Sequence, residues 1–82
     1  MVQYTILLFG PAAAAVKMDR VAIESAELCS ADQLKDRVSQ QFPALDVYLQ
    51  AGRLAVNQSF VAGDTTVNAD DETALITMVS GG

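Results

Sequence analysis

At 82 residues the chain has room for one domain with a thin core. Hydrophobic residues make up 51% and charged ones 18%, which argues for a folded globule, and a net charge of −5 suits a basic protein partner rather than nucleic acid. Histidine is absent and Cys29 is the single cysteine, so a Ser-His or Cys-His nucleophile pair and an intrachain disulfide are both excluded.

Val2 to Phe9 starts with alternating residues and ends continuously apolar, the pattern of a strand that becomes buried on both faces. Gly10-Pro11 breaks it, and Ala12 to Met18 has the composition of one or two helical turns with Pro11 at the first position. Arg20 to Ala26 alternates, with Val21 and Ile23 on one face, and predicts a second strand antiparallel to the first. Cys29 near its end reads as a small buried hydrophobe. Ser30-Ala31-Asp32-Gln33 matches a capping box, and Leu34, Val38 and Phe42 form one apolar stripe of a helix that Pro43 ends.

Ala44 to Gly52 is expected to be a connector in which Leu45, Val47, Tyr48 and Leu49 cover the end of the core, with Gly52 at a turn. Arg53 to Asn57 reads as a third strand, Gln58-Ser59 as a turn into Phe60-Val61, and Thr65 to Val67 as a brief extended piece. Asp70, Asp71 and Glu72 are consecutive acids without calcium-loop spacing, and are expected to be a solvated turn. Glu72 to Val79 is the last strand. Two strands, a helix and further strands predict an α+β fold, with the two most apolar strands side by side and the helix across one face: a β-grasp mixed sheet.

No run approaches the roughly 18 apolar residues of a membrane span. The N-terminus lacks a basic signal-peptide region, so a cytoplasmic location is expected, without membrane partners. Residues 1–82 are expected to be one domain with a flexible tail, 79–82. That tail, Val79-Ser80-Gly81-Gly82, closes on two glycines with no side chain to pack. Glycine is about 7% of average composition, so a closing pair arises by chance roughly once in 200 chains. Without Cβ atoms the pair can thread a narrow channel, leaving the carbonyl carbon of Gly82 open to attack if its α-carboxylate is free. Four extended residues reach at most about 14 Å, enough to bury Gly82 in a partner while the domain docks outside.

These features together resemble the small subunit of molybdopterin synthase, within the ubiquitin-like sulfur carriers. The resemblance covers nearly the whole chain. It is carried by Leu7-Leu8-Phe9, Leu54-Ala55-Val56-Asn57-Gln58, the run Asp71 to Ile76 and the closing Val79-Ser80-Gly81-Gly82. Thr77 and Met78 stand where such proteins often have prolines. The resemblance implies that an ATP-consuming, ubiquitin-activating-like adenylyltransferase activates Gly82, and that a sulfur donor converts it to a thiocarboxylate. The tail, with Gly81 beside the reacting group, would then enter the large subunit of the synthase in a heterotetramer. There the sulfur would pass to a cyclic pterin monophosphate precursor of the molybdenum cofactor. The chain itself would bind no cofactor or metal and would supply no catalytic side chain. By position in the resemblance, Phe9, Phe60 and Ile76 would form the apolar docking patch, with Val79 and Ser80 leading into the partner. Three alternatives stand beside this: a carrier for thiamin, cysteine or tRNA thiolation; a ubiquitin-like protein modifier; and a β-grasp interaction module with inert glycines.

Overall fold

The structure is a computed structural model and describes residues 1–77. Strand β1 (Val2–Leu8) is followed by helix α1 (Gly10–Val16), strand β2 (Arg20–Ser25), short strand β3 (Cys29–Ser30) and helix α2 (Ala31–Gln41). A 3₁₀ turn (Pro43–Leu45) leads into helix α3 (Asp46–Ala51), and strands β4 (Gly52–Val56), β5 (Ser59–Phe60), β6 (Thr66–Val67) and β7 (Thr73–Thr77) complete the order. Five strands form one sheet in the order β2-β1-β7-β4-β5, and β3 and β6 make a separate two-stranded ribbon. The most apolar strands, β1 and β7, lie parallel in the middle, with Leu7 opposite Ala74. That is the β-grasp arrangement expected from the sequence.

The core forms where the strands' inward residues meet the helices. Tyr4, Ile6 and Leu8 of β1, Val21 and Ile23 of β2, and Leu54 and Leu75 of the central strands pack against Leu34 and Val38 of α2. The α2 start is capped as its spacing predicts: the Gln33 amide donates to Ser30 Oγ, and the Ser30 amide donates to Gln33 Oε1. Phe42, expected in the apolar stripe, is half-buried at the helix C-cap.

Residues 44–52 depart from the expected connector. Pro43 fixes the first turn of a 3₁₀ segment, and α3 follows without a break. The i, i+4 pair Leu45 and Leu49 is fully buried, so the segment folds as a helix that seals the core. Asp46 fixes its start by accepting from Ser39 Oγ at 2.7 Å and Gln50 Nε2 at 2.9 Å. Val47, expected to cover the core, points outward and is 63% exposed. Gly52 opens β4 rather than making a turn, and the turn after β4 falls on Asn57-Gln58, one residue earlier than expected.

Cys29 is buried, as expected, but in a strand of its own, paired with Val67 of β6. The ribbon is tied to the sheet by Tyr4. Its buried hydroxyl donates to the Val67 carbonyl at 2.7 Å and accepts from the Cys29 amide at 2.9 Å. Tyr4→Phe removes both buried hydrogen bonds, at a cost of about 1–3 kcal/mol. Thermal denaturation of the variant is expected to show Tm lowered by on the order of 10 °C.

Candidate functional site

Period-two alternation sends Thr73 and Leu75 into the core and leaves Ala74 and Ile76 on the opposite, helix-free face of the sheet. Antiparallel pairing with β4 places Ala55 opposite Ala74 and Arg53 opposite Ile76. The β4–β5 hairpin then folds Phe60 back opposite Ala55. Asn57 and Gln58 have φ of 52° and 68°, the paired positive values of the two-residue turn whose twist suits a hairpin.

These residues enclose a shallow concavity of about 420 Å³ lined by Phe9, Ala55, Gln58, Phe60, Glu72, Ala74 and Ile76. Ala55 and Ala74 are its small floor, because larger side chains there would fill it. Phe9 and Phe60 form exposed walls, at 53% and 46%, and the Arg53 guanidinium lies 4.8 Å from the Phe60 ring centroid. Phe9, Phe60 and Ile76, singled out from the sequence, therefore meet at one place. Val79, Ser80, Gly81 and Gly82 lie outside the described residues. They follow β7, whose Ile76 is on the concavity's rim.

Sequence reading missed Ala55, Ala74, Arg53, Gln58 and Glu72. Alternation within β7 already pairs Ala74 with Ile76 on one face, so Ala74 was within reach. Ala55 and Arg53 needed the β4–β7 register.

The Val56-Asn57-Gln58 and Asp71-Glu72 segments have a structural reason to occur together. The Asn57 side chain donates to Asp71 Oδ1 at 3.1 Å and accepts from the Glu72 amide at 3.0 Å, while the Asn57 amide donates to the Glu72 carbonyl at 2.7 Å. Asp71 Oδ2 also accepts from the Asn68 amide. Together they clasp the hairpin turn to the start of β7 and hold the concavity's edge. Among the described residues no group of three or more acidic, cysteine or histidine side chains is placed to hold a metal ion. None of the described helices is long and apolar enough to cross a membrane.

The ThiS family model matches residues 6–82, nearly the whole chain. The chain belongs to the ThiS family. Within the solved structures it is similar to SAMP1, a small archaeal modifier protein, from Haloferax volcanii, with a TM-score of 0.83 at 22% identity over 98% of this chain and 99% of that one. A putative molybdopterin converting factor subunit 1 from Pyrococcus furiosus gives a TM-score of 0.82 at 16% identity, covering 96% and 100%. The complex of subunits 1 and 2 of the molybdopterin-converting factor from Helicobacter pylori gives a TM-score of 0.68 at 21% identity, covering 98% and 99%. No curated protein matches this sequence. These neighbours share the chain's β-grasp fold, with a helix packed on one face of a mixed sheet. The open face carrying Phe9, Phe60 and Ile76 is the other one.

Proposed function

We propose that the protein is a sulfur carrier whose working group is the α-carboxylate of Gly82. A carboxylate resists nucleophiles because charge and resonance protect its carbon. An ATP-dependent adenylyltransferase would join the carboxylate oxygen to the α-phosphorus of ATP, releasing pyrophosphate. Attack by a hydrosulfide-equivalent donor then forms the C–S bond while the C–O bond to AMP breaks and AMP leaves with the electron pair. The Gly82 thiocarboxylate carries sulfur to the large subunit of molybdopterin synthase, where a cyclic pterin monophosphate precursor accepts it. Hydrolysis at the carbonyl returns the carboxylate.

The observation that carries this reading is the family match, which runs through to Gly82. The apolar concavity supports it. It adjoins the strand that leads into the tail, and it offers two exposed aromatic rings to a partner. A subunit 1 chain of similar fold occurs in complex with subunit 2 of the molybdopterin-converting factor, which supports the same assembly here. In this reading the acids, bases and phosphate-binding cations belong to the partners, and ATP is consumed by the activating one.

A second reading is favoured by the likeness to a small archaeal modifier protein: conjugation of Gly82 to lysine side chains. The two separate in one experiment. The thiocarboxylated chain is mixed with the large subunit and the precursor. Conversion of the precursor, with the chain returned to its carboxylate mass, is expected. An unconverted precursor, with isopeptide-linked adducts in cell extract, would establish the modifier reading instead.

Docking is tested separately through Phe60. Phe60→Ala removes an exposed wall of the concavity and the cation–π contact, neither of which holds the core. Truncation of an aromatic anchor is expected to weaken binding of the large subunit by about 2 kcal/mol, near thirtyfold in Kd, with Tm nearly unchanged. Isothermal titration beside a melting curve checks it. An unchanged Kd with a lowered Tm would make Phe60 a packing residue.

A further inference from the structure

We propose that β2 is a dimerisation edge, joining two copies of this chain into one continuous sheet. β2 ends the five-stranded sheet, and among the described residues no strand pairs with its outer side. The register of β1 with β2 shows which of its backbone groups are free. The Leu8 amide donates to the Asp19 carbonyl at 2.8 Å, and the same register sets Val21 opposite Ile6, Ile23 opposite Tyr4 and Ser25 opposite Val2. In an antiparallel ladder hydrogen-bonded pairs alternate with non-bonded ones, so Val21, Ile23 and Ser25 spend their backbone groups on β1. The N–H and C=O groups of Arg20, Ala22 and Glu24 therefore point to the open edge. Their side chains are exposed, on the helix-free face.

Edge strands of monomeric proteins are guarded by proline, bulges, shortness or repelling charge. β2 is six residues long and carries no proline. Its two charges are of opposite sign and lie symmetrically about Ala22. Two copies paired antiparallel across a two-fold axis at Ala22 place Arg20 of each opposite Glu24 of the other. Ala22 meets Ala22, where nothing larger than a methyl group intervenes. Each of the three facing pairs draws on residues whose backbone groups are free, so strand polarity, hydrogen-bond phase and charge all agree in one register. Like charges at residues 20 and 24 would have repelled in that register; these attract. Arg20 contacts Asp19 at 3.4 Å, but that pair is solvent-facing on both sides (62% and 82% exposed) and exchanges readily. β1 separates β2 from β7, so the dimer leaves the concavity of each copy open. The proposal is independent of the sulfur chemistry.

Sedimentation equilibrium over a concentration series up to ~1 mM tests it, a range suited to a small interface. The unaltered chain is expected to rise from its 8.7 kDa monomer towards twice that mass. Arg20→Glu, which sets Glu against Glu24 twice, is expected to stay monomeric. The double variant Arg20→Glu with Glu24→Arg is expected to recover the dimer. Ala22→Pro removes an edge N–H that β1 does not use, and is expected to abolish dimerisation while keeping the circular dichroism of the fold. A monomer throughout the series, a dimer unaffected by Arg20→Glu, or a double variant that fails to recover while folded would overturn the proposal.

Discussion

A chain extended by one alanine beyond Gly82 is expected to lose sulfur loading by more than about a hundredfold. An added residue moves the terminal carboxylate by about 3.5 Å. Misplacing a reacting group by even about 1 Å can cost a hundredfold in rate. Alanine also brings a Cβ to a place where glycine offers none. Deleting Gly82 should be as damaging, since the carboxylate then falls short by the same distance. Neither change should touch the fold: Ile6, Leu34, Val38 and Leu75 of the core all lie before the altered residue. Equal melting curves with lost loading would place the effect on chemistry. Full loading of the extended chain, with its mass showing the alanine still in place, would remove Gly82 from its proposed position.

A structural effect that also reaches the site is expected from Gly52→Ala. Gly52 has φ −111° and ψ −175°, which any residue adopts, so the need for glycine is one of space. A Cβ here would lie 2.6 Å from the Ile76 carbonyl oxygen and 2.8 Å from that of Tyr48. Both are backbone atoms. Relief requires moving β4 from β7 or shifting the end of α3. Overpacking of this kind costs about 1–3 kcal/mol, so a Tm fall on the order of 10 °C is expected. The displaced strand pair is also the one that carries Ala55 and Ile76. Partner affinity should therefore fall further in Gly52→Ala than in Phe60→Ala, measured at a temperature where both are folded. Gly10 provides the contrast. Its φ is +56° with open space around the added Cβ, so Gly10→Ala is strained only by its left-handed backbone, by roughly 1–2 kcal/mol, and leaves the concavity unaltered.

Most of the fold is legible in short-range pattern. The alternation in β1 and β2, the Ser30 capping box and Pro43 each specify their element locally. Helix α3 escaped because its buried Leu49, with Leu45 of the 3₁₀ turn before it, sits within a segment too brief to show a full amphipathic period. The β3–β6 ribbon escaped for a different reason. Each of its strands is two residues long, and it is tied to the sheet by Tyr4, some 25 residues before Cys29 and 63 before Val67. The apolar rim of the site was legible through the large residues Phe9, Phe60 and Ile76. Its floor was not, because alanines such as Ala55 signal nothing until the register of β4 against β7 is known. Asn57 was legible as a motif but not as a clasp; its partners Asp71 and Glu72 become neighbours only once β4 and β7 pair.

The reactive atom proposed for this chain is its last carbonyl carbon, and one measurement addresses it directly. The purified chain is incubated with the activating partner, ATP, a persulfide donor and a thiol that reduces the acyl disulfide first formed, and its intact mass is recorded. Replacement of one oxygen by one sulfur, confined by fragmentation to Gly82 and absent without ATP, is the expected result. An unchanged mass while AMP and pyrophosphate accumulate, or sulfur found on Cys29 instead, would contradict it.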